Sequence, residues 1–248
     1  MVRCWKSGEI LRLPALLFEM NRIVQPELLD ELPVDDPRAQ WSRCDLRRIN
    51  AWMRNHAIMA RALKAGATDR VPRQIVDLGA GDGNLLLRVA RKMSPAWNGI
   101  TAILLDRQSI ITGQTSSSFA TLGWQMEAVE ADVFGWLSAA ASLDVVVANL
   151  FLHHFDDTRL AELFLAVADR ARLFVAIETR RAPWPLFCCR LLWIIGCNSV
   201  TRHDAAISVR AGFSGNELSA LWPKNEEWQL TEKRSGFFSH LFVAQRKD

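Results

Sequence analysis

The sequence contains no tyrosine, so a tyrosine side chain can serve neither as a base nor as a hydrogen-bonding lid over a site. Its cysteines are odd in number, five, and none shows Cys-x-x-Cys spacing. They therefore predict reduced thiols in a cytoplasmic protein rather than a disulfide framework or a zinc site. The formal net charge of +3 is too small to indicate a nucleic-acid partner.

The sequence also lacks an apolar run long enough to cross a membrane. Its most apolar stretch, 183–196, is too short for a span and contains Arg190. This stretch predicts a core or interfacial helix. A peripheral contact with a membrane is therefore an alternative role for it. Residues 1–19 contain an apolar patch that Glu9 and Arg12 interrupt, without a small-residue cleavage site after it. This pattern favours a surface extension over a signal peptide.

The amino-acid composition and the chain length are typical of a globular α/β domain. Half of the 248 residues are apolar and 23% are charged, which is enough apolar surface for a full core. Apolar residues recur at three-to-four spacing over 38–65 and predict one or two amphipathic helices. We therefore assign 1–65 to an N-terminal extension and helical cover. Residues 66–248 then form the main domain, with an apolar insert near 183–212.

The stretch 75–90 carries the strongest motif in the chain. A short apolar run leads into a turn with glycine at 79, 81 and 83, and apolar residues at helical spacing follow. The pattern predicts a strand, a tight turn and a helix. Glycines let a ligand approach the backbone, and a helix start offers unpaired N–H groups. The stretch therefore predicts a site for a nucleotide-like ligand.

The D-x-G-x-G-x-G pattern at 77–83 resembles motif I of the class I S-adenosylmethionine (SAM)-dependent methyltransferases. The resemblance implies that SAM is the cofactor and that Asp77 anchors its amino group. It also implies that the backbone of Gly79, Ala80 and Gly81 faces the methionine part of SAM.

Two further acids follow predicted strands in the order that the family shows. Asp106 ends the strand at 101–106, where a carboxylate can accept hydrogen bonds from both ribose hydroxyls of SAM. A helix N-cap is the alternative role for this residue. Arg107 beside it is assigned to the same site. After the third strand, the resemblance implies that Asp132 accepts a hydrogen bond from the adenine amino group and that Val133 lies against the ring.

A fourth strand begins near 143 and leads into Asn-Leu-Phe-Leu-His-His-Phe at 149–155. This segment resembles motif IV of small-molecule methyltransferases, including the ubiquinone/menaquinone type. The resemblance places Asn149 and Leu150 at the SAM site. Leu150 stands where enzymes that methylate the amino groups of adenine or glutamine have proline, which argues against those substrates.

Histidines supply the candidate catalytic groups. His154 is a candidate base or substrate contact, and His153 is expected to be structural. Adjacent residues on a helix point about 100° apart, so this pair is not expected to clamp a metal ion, and no metal is predicted. His203, next to Asp204, is a second candidate base at the expected mouth of the acceptor pocket.

The apolar stretch after the fifth strand is expected to shape the acceptor pocket. Trp184, Phe187 and Trp193 are the candidates, and plain core packing is their alternative role. Two strands at 227–234 and 237–245 flank Ser-Gly and resemble the reversed hairpin that closes the sheet of this family.

Together these features predict a Rossmann-like sheet of seven strands, mostly parallel with an antiparallel last strand, helices on both faces and an N-terminal helical cover. They predict a SAM-dependent methyltransferase that acts on a hydrophobic small molecule, such as a phenol, a quinol or a polyketide-like ring, at oxygen or carbon. Two alternatives remain. One is a SAM-binding partner subunit without catalysis. The other is an oxidoreductase with a nucleotide cofactor, against which Asn84 argues, because a dinucleotide fingerprint has a small residue there.

Overall fold

The computed structural model of the chain describes residues 20–67, 70–108, 110–223 and 226–247. The extension predicted at 1–19 therefore lies outside the described residues. One sheet forms the centre of the fold. Its strands are β1 (Gln74–Leu78), β2 (Thr101–Asp106), β3 (Gln125–Glu130), β4 (Leu143–Asn149), β5 (Ala171–Thr179), β6 (Trp228–Ser235) and β7 (Ser239–Arg246).

The sheet has the strand order β3-β2-β1-β4-β5-β7-β6. Strands β1 to β5 are parallel, and β7 pairs antiparallel with both β5 and β6. This arrangement confirms the predicted seven-stranded, mostly parallel sheet. The chain order reverses between β1 and β4, and in open α/β sheets a ligand crevice lies at the carboxyl ends of the strands at such a point.

Helices cover both faces of the sheet, as the mostly apolar and buried strands β1, β4 and β5 require. They are α1 (Leu28–Glu31), α2 (Pro37–Met53), α3 (Asn55–Gly66), α4 (Asn84–Met93), α5 (Gly113–Thr121), α6 (Val133–Ala139), α7 (Asp157–Arg170), α8 (Pro183–Cys189), α9 (Ser199–Ala211) and α10 (Glu217–Leu221). A 3-10 helix, Leu152–His154, follows β4. Among the described helices, none has the length and apolar character needed to cross a membrane.

One face of the sheet carries an aromatic cluster. Phe164 of α7 packs edge-on against Phe174 of β5, and Trp222 stacks on Phe174 with ring centroids 5.6 Å apart. Phe242 of β7 contacts the same rings, and all four side chains are fully buried or nearly so. Aromatic burial on this scale dominates the packing between α7, α10 and the sheet.

The N-terminal helices belong to two different layers. Arg54, with φ 58°, separates α2 from α3. Helix α3 buries Met59 and Leu63 in the core on the second sheet face. Helix α2 instead meets α9 through polar groups: the Asp45 carboxylate accepts a 2.9 Å hydrogen bond from Asn198 N. Thus α3 is part of the main core, and α2 is a cover held by hydrogen bonds.

The aromatic cluster predicts a large stability effect at Phe174. Phe174→Ala removes a fully buried ring and should lower the free energy of unfolding by about 3–5 kcal/mol. Leu165→Ala is the matched control, because Leu165 lies on the exposed side of α7 and should change stability by at most about 0.5 kcal/mol. Urea denaturation measures both variants. Equal losses would show that the cluster is not the main packing contact of this face.

Candidate functional site

A cleft of about 1270 Å³ opens at the carboxyl ends of the parallel strands. The glycine turn after β1, the ends of β2 and β4, and the 3-10 helix form its floor. The segment 24–30 and one face of α2 form the opposite wall. The cleft therefore lies between the sheet edge and the N-terminal cover.

The glycine turn presses its backbone against the core and leaves one side open. Gly79 N and Ala80 N donate to Leu105 O at 2.9 and 3.1 Å. Gly79 has φ +68°, and a Cβ atom there would lie 2.3 Å from Cδ2 of Phe151. Gly81 has φ +56° and no atom within 4 Å of such a Cβ position. A ligand can therefore approach the main chain at Gly81.

Asp106, at the end of β2, joins the glycine turn to the chain that follows. Its Oδ2 accepts a hydrogen bond from Gly81 N at 2.8 Å, and its Oδ1 accepts one from Gln108 N at 3.0 Å. A carboxylate has about four lone-pair sites, so each oxygen keeps capacity for one further donor. The Asp106 carboxylate therefore has the acceptors that a pair of hydroxyl groups requires.

Asp77 is the unusual group of the site. It lies within β1, it is buried, and its Oδ2 has no hydrogen-bond partner among the described residues. Burial, and then the nearby carboxylates of Asp106 and Asp82, raise the pKa of Asp77 to about 8. A buried polar atom without a partner costs free energy, so this position suits a donor or cation supplied by a ligand. The ammonium group of an amino acid fits it.

A distorted turn connects β4 to the 3-10 helix. Leu150 has φ 53°, a left-handed conformation that costs a residue with a Cβ atom about 1–2 kcal/mol. Its N–H donates to Ile177 O at 2.8 Å. Before it, Asn149 Oδ1 accepts a hydrogen bond from Asn55 Nδ2 at 2.9 Å, which ties β4 to α3. Both Asn149 and Leu150 line the cleft.

His153 lies between two glutamates. Its Nδ1 is 2.7 Å from Oε2 of Glu178, and its Nε2 is 3.3 Å from Oε1 of Glu27. The other Glu178 oxygen accepts hydrogen bonds from Phe151 N and Leu152 N at 2.9 and 2.8 Å. Burial lowers the pKa of His153, but the two carboxylates outweigh it and raise the pKa to about 10.

His154 is close to His153 in space, and this differs from the sequence-based expectation. The two rings lie 4.4 Å apart with an interplanar angle of 30°. The expected divergence holds for a regular helix, whereas this segment is a single 3-10 turn that follows the left-handed Leu150. Oδ2 of Asp30 is 3.4 Å from His154 Nδ1. Burial, and then the charge of His153, lower the pKa of His154, which favours its neutral form.

His203 does not line the cleft. The segment that contains it is part of α9, which Asn198 caps by accepting a hydrogen bond from Thr201 N at 2.8 Å. His203 is half exposed, and its Nδ1 is 2.9 Å from Oδ1 of Asp204. Asp204 in turn accepts hydrogen bonds from Leu28 N and a neighbouring amide, so it holds the start of α1.

Asp132 caps helix α6 and also lines the cleft. Its Oδ1 accepts hydrogen bonds from Phe134 N and Gly135 N at 3.0 and 3.2 Å, which caps α6. Asp132, Val133 and Arg107 all line the cleft. The second carboxylate oxygen of Asp132 is not used by the cap.

The apolar segment after β5 lies outside the cleft. Trp184, Phe187 and Trp193 are about half exposed or more, and none is among the residues that line the cleft. Trp184 stacks on Phe187, with ring centroids 5.9 Å apart. The apolar lining opposite the sheet comes instead from the cover, at Val24, Pro26, Leu29, Val34 and Leu46.

Sequence reasoning missed the two glutamates that hold His153. Glu178 interrupts the apolar run of β5, and a charged residue inside a buried strand is a signal that a site is near. Glu27 had no such signal, because its role depends on how the N-terminal segment folds over the sheet.

Comparisons with known proteins agree with this geometry. A family model described as a methyltransferase domain matches residues 75–172. An uncharacterized methyltransferase of Mycobacterium tuberculosis is 34% identical over 87 residues, which are 35% of this chain and 40% of that protein. A protein of Mycobacterium bovis with the same description matches equally. The matched segment thus spans less than half of these relatives.

Solved structures share the fold over most of the chain. The plantazolicin methyltransferase BamL, in complex with a triazolic desmethylPZN analog and SAH, has a TM-score of 0.61 at 13% identity and covers 86% of this chain and 93% of its own. An O-methyltransferase family protein of Burkholderia thailandensis has a TM-score of 0.54 at 17% identity. The match covers 86% of this chain and 64% of that protein.

Residues 75–172 thus match the model of a methyltransferase domain, and methyltransferases solved with SAH share the fold over most of the chain. SAM is the cofactor of this family, and SAH (S-adenosylhomocysteine) is the product that SAM leaves after methyl transfer. In this chain the cleft contains an acceptor for an ammonium group at Asp77, an open backbone at Gly81 and acceptors for hydroxyls at Asp106. The residues present therefore fit SAM.

The position of Gly79 against Phe151 predicts that a side chain is not tolerated there. Gly99 has the same φ of +68° but no atom within 4 Å of a Cβ position. Gly99→Ala should lower the free energy of unfolding by about 1–2 kcal/mol, the cost of the backbone conformation alone. Gly79→Ala should lower the free energy of unfolding by at least about 1 kcal/mol more than Gly99→Ala, because the methyl group also overlaps the Phe151 ring. Urea denaturation of both variants tests the difference, and equal losses would contradict it.

The raised pKa of Asp77 predicts a pH dependence of stability. Between about pH 4 and pH 8, the native protein keeps a proton on Asp77 that the unfolded chain has lost. The free energy of unfolding of the ligand-free protein should therefore fall as pH rises through this window. Asp77→Asn removes the titrating group, so the stability difference, wild type minus variant, should decrease from pH 5 to pH 8. A difference that is constant or rises with pH would contradict this interpretation of Asp77.

Proposed function

We propose that this chain transfers the methyl group of SAM to a small, largely apolar acceptor that binds in the cleft. The observation that carries the proposal is the buried Asp77 carboxylate, which lacks a partner directly beside the open glycine turn. When bound, SAM supplies an electrophilic methyl carbon on a positively charged sulfur. The protein then has to align the acceptor with that carbon and exclude water.

The cofactor is proposed to lie along the carboxyl ends of β1, β2 and β4. Asp77 accepts hydrogen bonds from the ammonium group, and this positive charge lowers the pKa of Asp77 so that it is ionised in the complex. Gly79, Ala80 and Gly81 present their backbone to the amino-acid part. Asp106 accepts from the ribose hydroxyls through the lone pairs that Gly81 N and Gln108 N leave free.

The adenine end is proposed to bind at the start of α6. The free oxygen of Asp132 accepts from the adenine amino group, and Val133 packs against the ring. Arg107, which follows Asp106 and lines the same cleft, covers the other side. Asn149 and Leu150 line the cleft at the end of β4, where Leu150 holds the chain in its left-handed turn next to the cofactor.

The acceptor is proposed to lie between the sheet edge and the cover. The apolar side chains of the 24–34 segment and of Leu46 line that wall, so they supply the apolar contact that the sequence had placed on Trp184, Phe187 and Trp193. This lining supports a hydrophobic acceptor. The cover and the sheet together also limit the access of water.

His154 is the proposed group that acts on the acceptor. It lines the cleft, whereas His203 lies on the outer side of α9. Its lowered pKa keeps it neutral near pH 7, and a neutral imidazole can accept a hydrogen bond or a proton from an acceptor hydroxyl.

The proposal predicts that Asp106 is required for cofactor binding. In a calorimetric titration with SAH, Asp106→Asn should lose about 1.5–3 kcal/mol of binding free energy, the range for hydrogen bonds to a charged group. Asp144→Asn is the matched control. Its carboxylate also accepts a hydrogen bond from a backbone amide, Arg73 N at 2.7 Å, but Asp144 does not line the cleft and its substitution should leave SAH binding unchanged.

Two outcomes would contradict the proposal. Wild-type protein that does not bind SAH, tested beside NAD, would exclude the cofactor. Wild-type protein that binds SAH but forms no SAH from SAM with any of a panel of phenols, quinols and polyketide-like rings would favour a partner subunit without catalysis.

A further inference from the structure

The side chains of Glu27, His153 and His154 form a cluster that neither cofactor binding nor the fold accounts for. One nitrogen or oxygen atom from each of the three lies within 4.8 Å of the corresponding atoms of the other two. All three residues line the cleft. The histidines come from the 3-10 helix after β4, and Glu27 comes from the N-terminal cover.

We propose that Glu27, His153 and His154 bind one divalent transition-metal ion of the zinc class. Imidazole nitrogen and carboxylate oxygen are the ligand types that Zn²⁺ accepts, and three protein ligands with a fourth open position are typical of catalytic zinc sites. Because all three residues line the cleft, an open position on the ion would face it.

The distance between His153 and Glu27 fits two ligands of one metal ion better than a direct hydrogen bond. His153 Nε2 and Glu27 Oε1 are 3.3 Å apart, which is long for a hydrogen bond to a charged group. Two ligands about 2.0–2.1 Å from a tetrahedral zinc ion lie roughly 3.3–3.4 Å from each other. The pair is therefore already spaced as two ligands of one ion.

The surroundings of the three ligands resemble the outer contacts of metal sites. A metal-bound histidine usually passes its other ring N–H to a carboxylate, which fixes the ring and its tautomer. Here Oε2 of Glu178 lies 2.7 Å from Nδ1 of His153, and Nε2 faces Glu27. Ser208 Oγ donates to Oε1 of Glu27, which orients that carboxylate. These contacts hold the ligand atoms in place.

The charges of the cluster also favour a cation. Glu27 and Glu178 are buried, and Asp30 lies beside His154, so three carboxylates surround the two histidines. A divalent ion would neutralise two of these three negative charges.

A metal ion at this position gives the cleft a Lewis acid. If the proposed methyl transfer holds, an acceptor hydroxyl bound at the ion would pass its proton more readily to the Asp30 carboxylate beside His154, because the ion would stabilise the oxyanion that remains. His154 then acts on the acceptor through the ion rather than as a free base. The metal site itself does not depend on the transfer activity.

Titration of the full chain with Zn²⁺ tests the proposal. Protein freed of metal by a chelator and dialysed should bind one Zn²⁺ per chain in a calorimetric titration, with the stoichiometry confirmed by elemental analysis. His154→Ala and Glu27→Gln should each weaken binding by on the order of 10- to 100-fold or more, since loss of even an outer contact has that effect. Mg²⁺, which prefers oxygen ligands and water, should bind much more weakly.

His203→Ala is the matched control, because it removes a half-exposed histidine that does not line the cleft and is not one of the three proposed ligands. Its Zn²⁺ affinity should equal that of the wild type. Thermal unfolding of each metal-free variant shows whether the fold is kept, and SAH titration of the same samples tests cofactor binding separately.

Three results would overturn the metal site. They are the absence of stoichiometric Zn²⁺ binding by the wild type, binding that neither substitution weakens, and binding of Mg²⁺ as tight as that of Zn²⁺. The first would leave His153 as an imidazolium between two glutamates. Zn²⁺ binding without SAH binding would support the metal site and contradict the proposed function. SAH binding without Zn²⁺ binding would support the proposed cofactor and contradict the metal site.

Discussion

Burial of carboxylates at the carboxyl edge of an apolar sheet is the constraint on which the site depends. Moving an ionised carboxylate out of water costs several kcal/mol unless hydrogen bonds or opposite charges replace the lost hydration. Asp106 is stabilised by two backbone N–H groups. Glu178 is stabilised by two backbone N–H groups and by His153. Asp77 has an oxygen with no partner in the described chain, and a cationic ligand would complete it.

The hydrogen bonds that stabilise these buried carboxylates determine the backbone conformation around the cleft. The Gly81 amide has to point at Asp106, so the glycine turn takes positive φ and leaves its other side open. The two amides that follow Leu150 have to point at Glu178, and the left-handed Leu150 brings them there. The same turn places the His153 and His154 rings side by side. The geometry of the cleft thus follows from how the buried acids are satisfied.

The cover is attached to this edge by polar contacts. Asp45 accepts from Asn198 N, Asp204 accepts from the amides at the start of α1, and Glu27 accepts from Ser208 Oγ while it faces His153. The attachment of the cover therefore depends on hydrogen bonds to buried carboxylates as well as on packing. The cover carries both the apolar wall opposite the sheet and one member of the histidine cluster, so acceptor binding and the cluster depend on the same segment.

The local sequence determined the elements that follow a short local pattern: the strand, turn and helix at 75–90, the acid that ends β2 and the hairpin of β6 and β7. Each depends on backbone conformation or on residues a few positions apart, which a sequence displays directly. Only the tertiary structure decided the partners of His153, the neighbouring rings of the histidine pair and the position of the apolar segment. Glu27 is 126 residues from His153 along the chain, and no local pattern records that contact. Trp184 and its neighbours face outward because the N-terminal cover, rather than the α8 segment, closes the cleft.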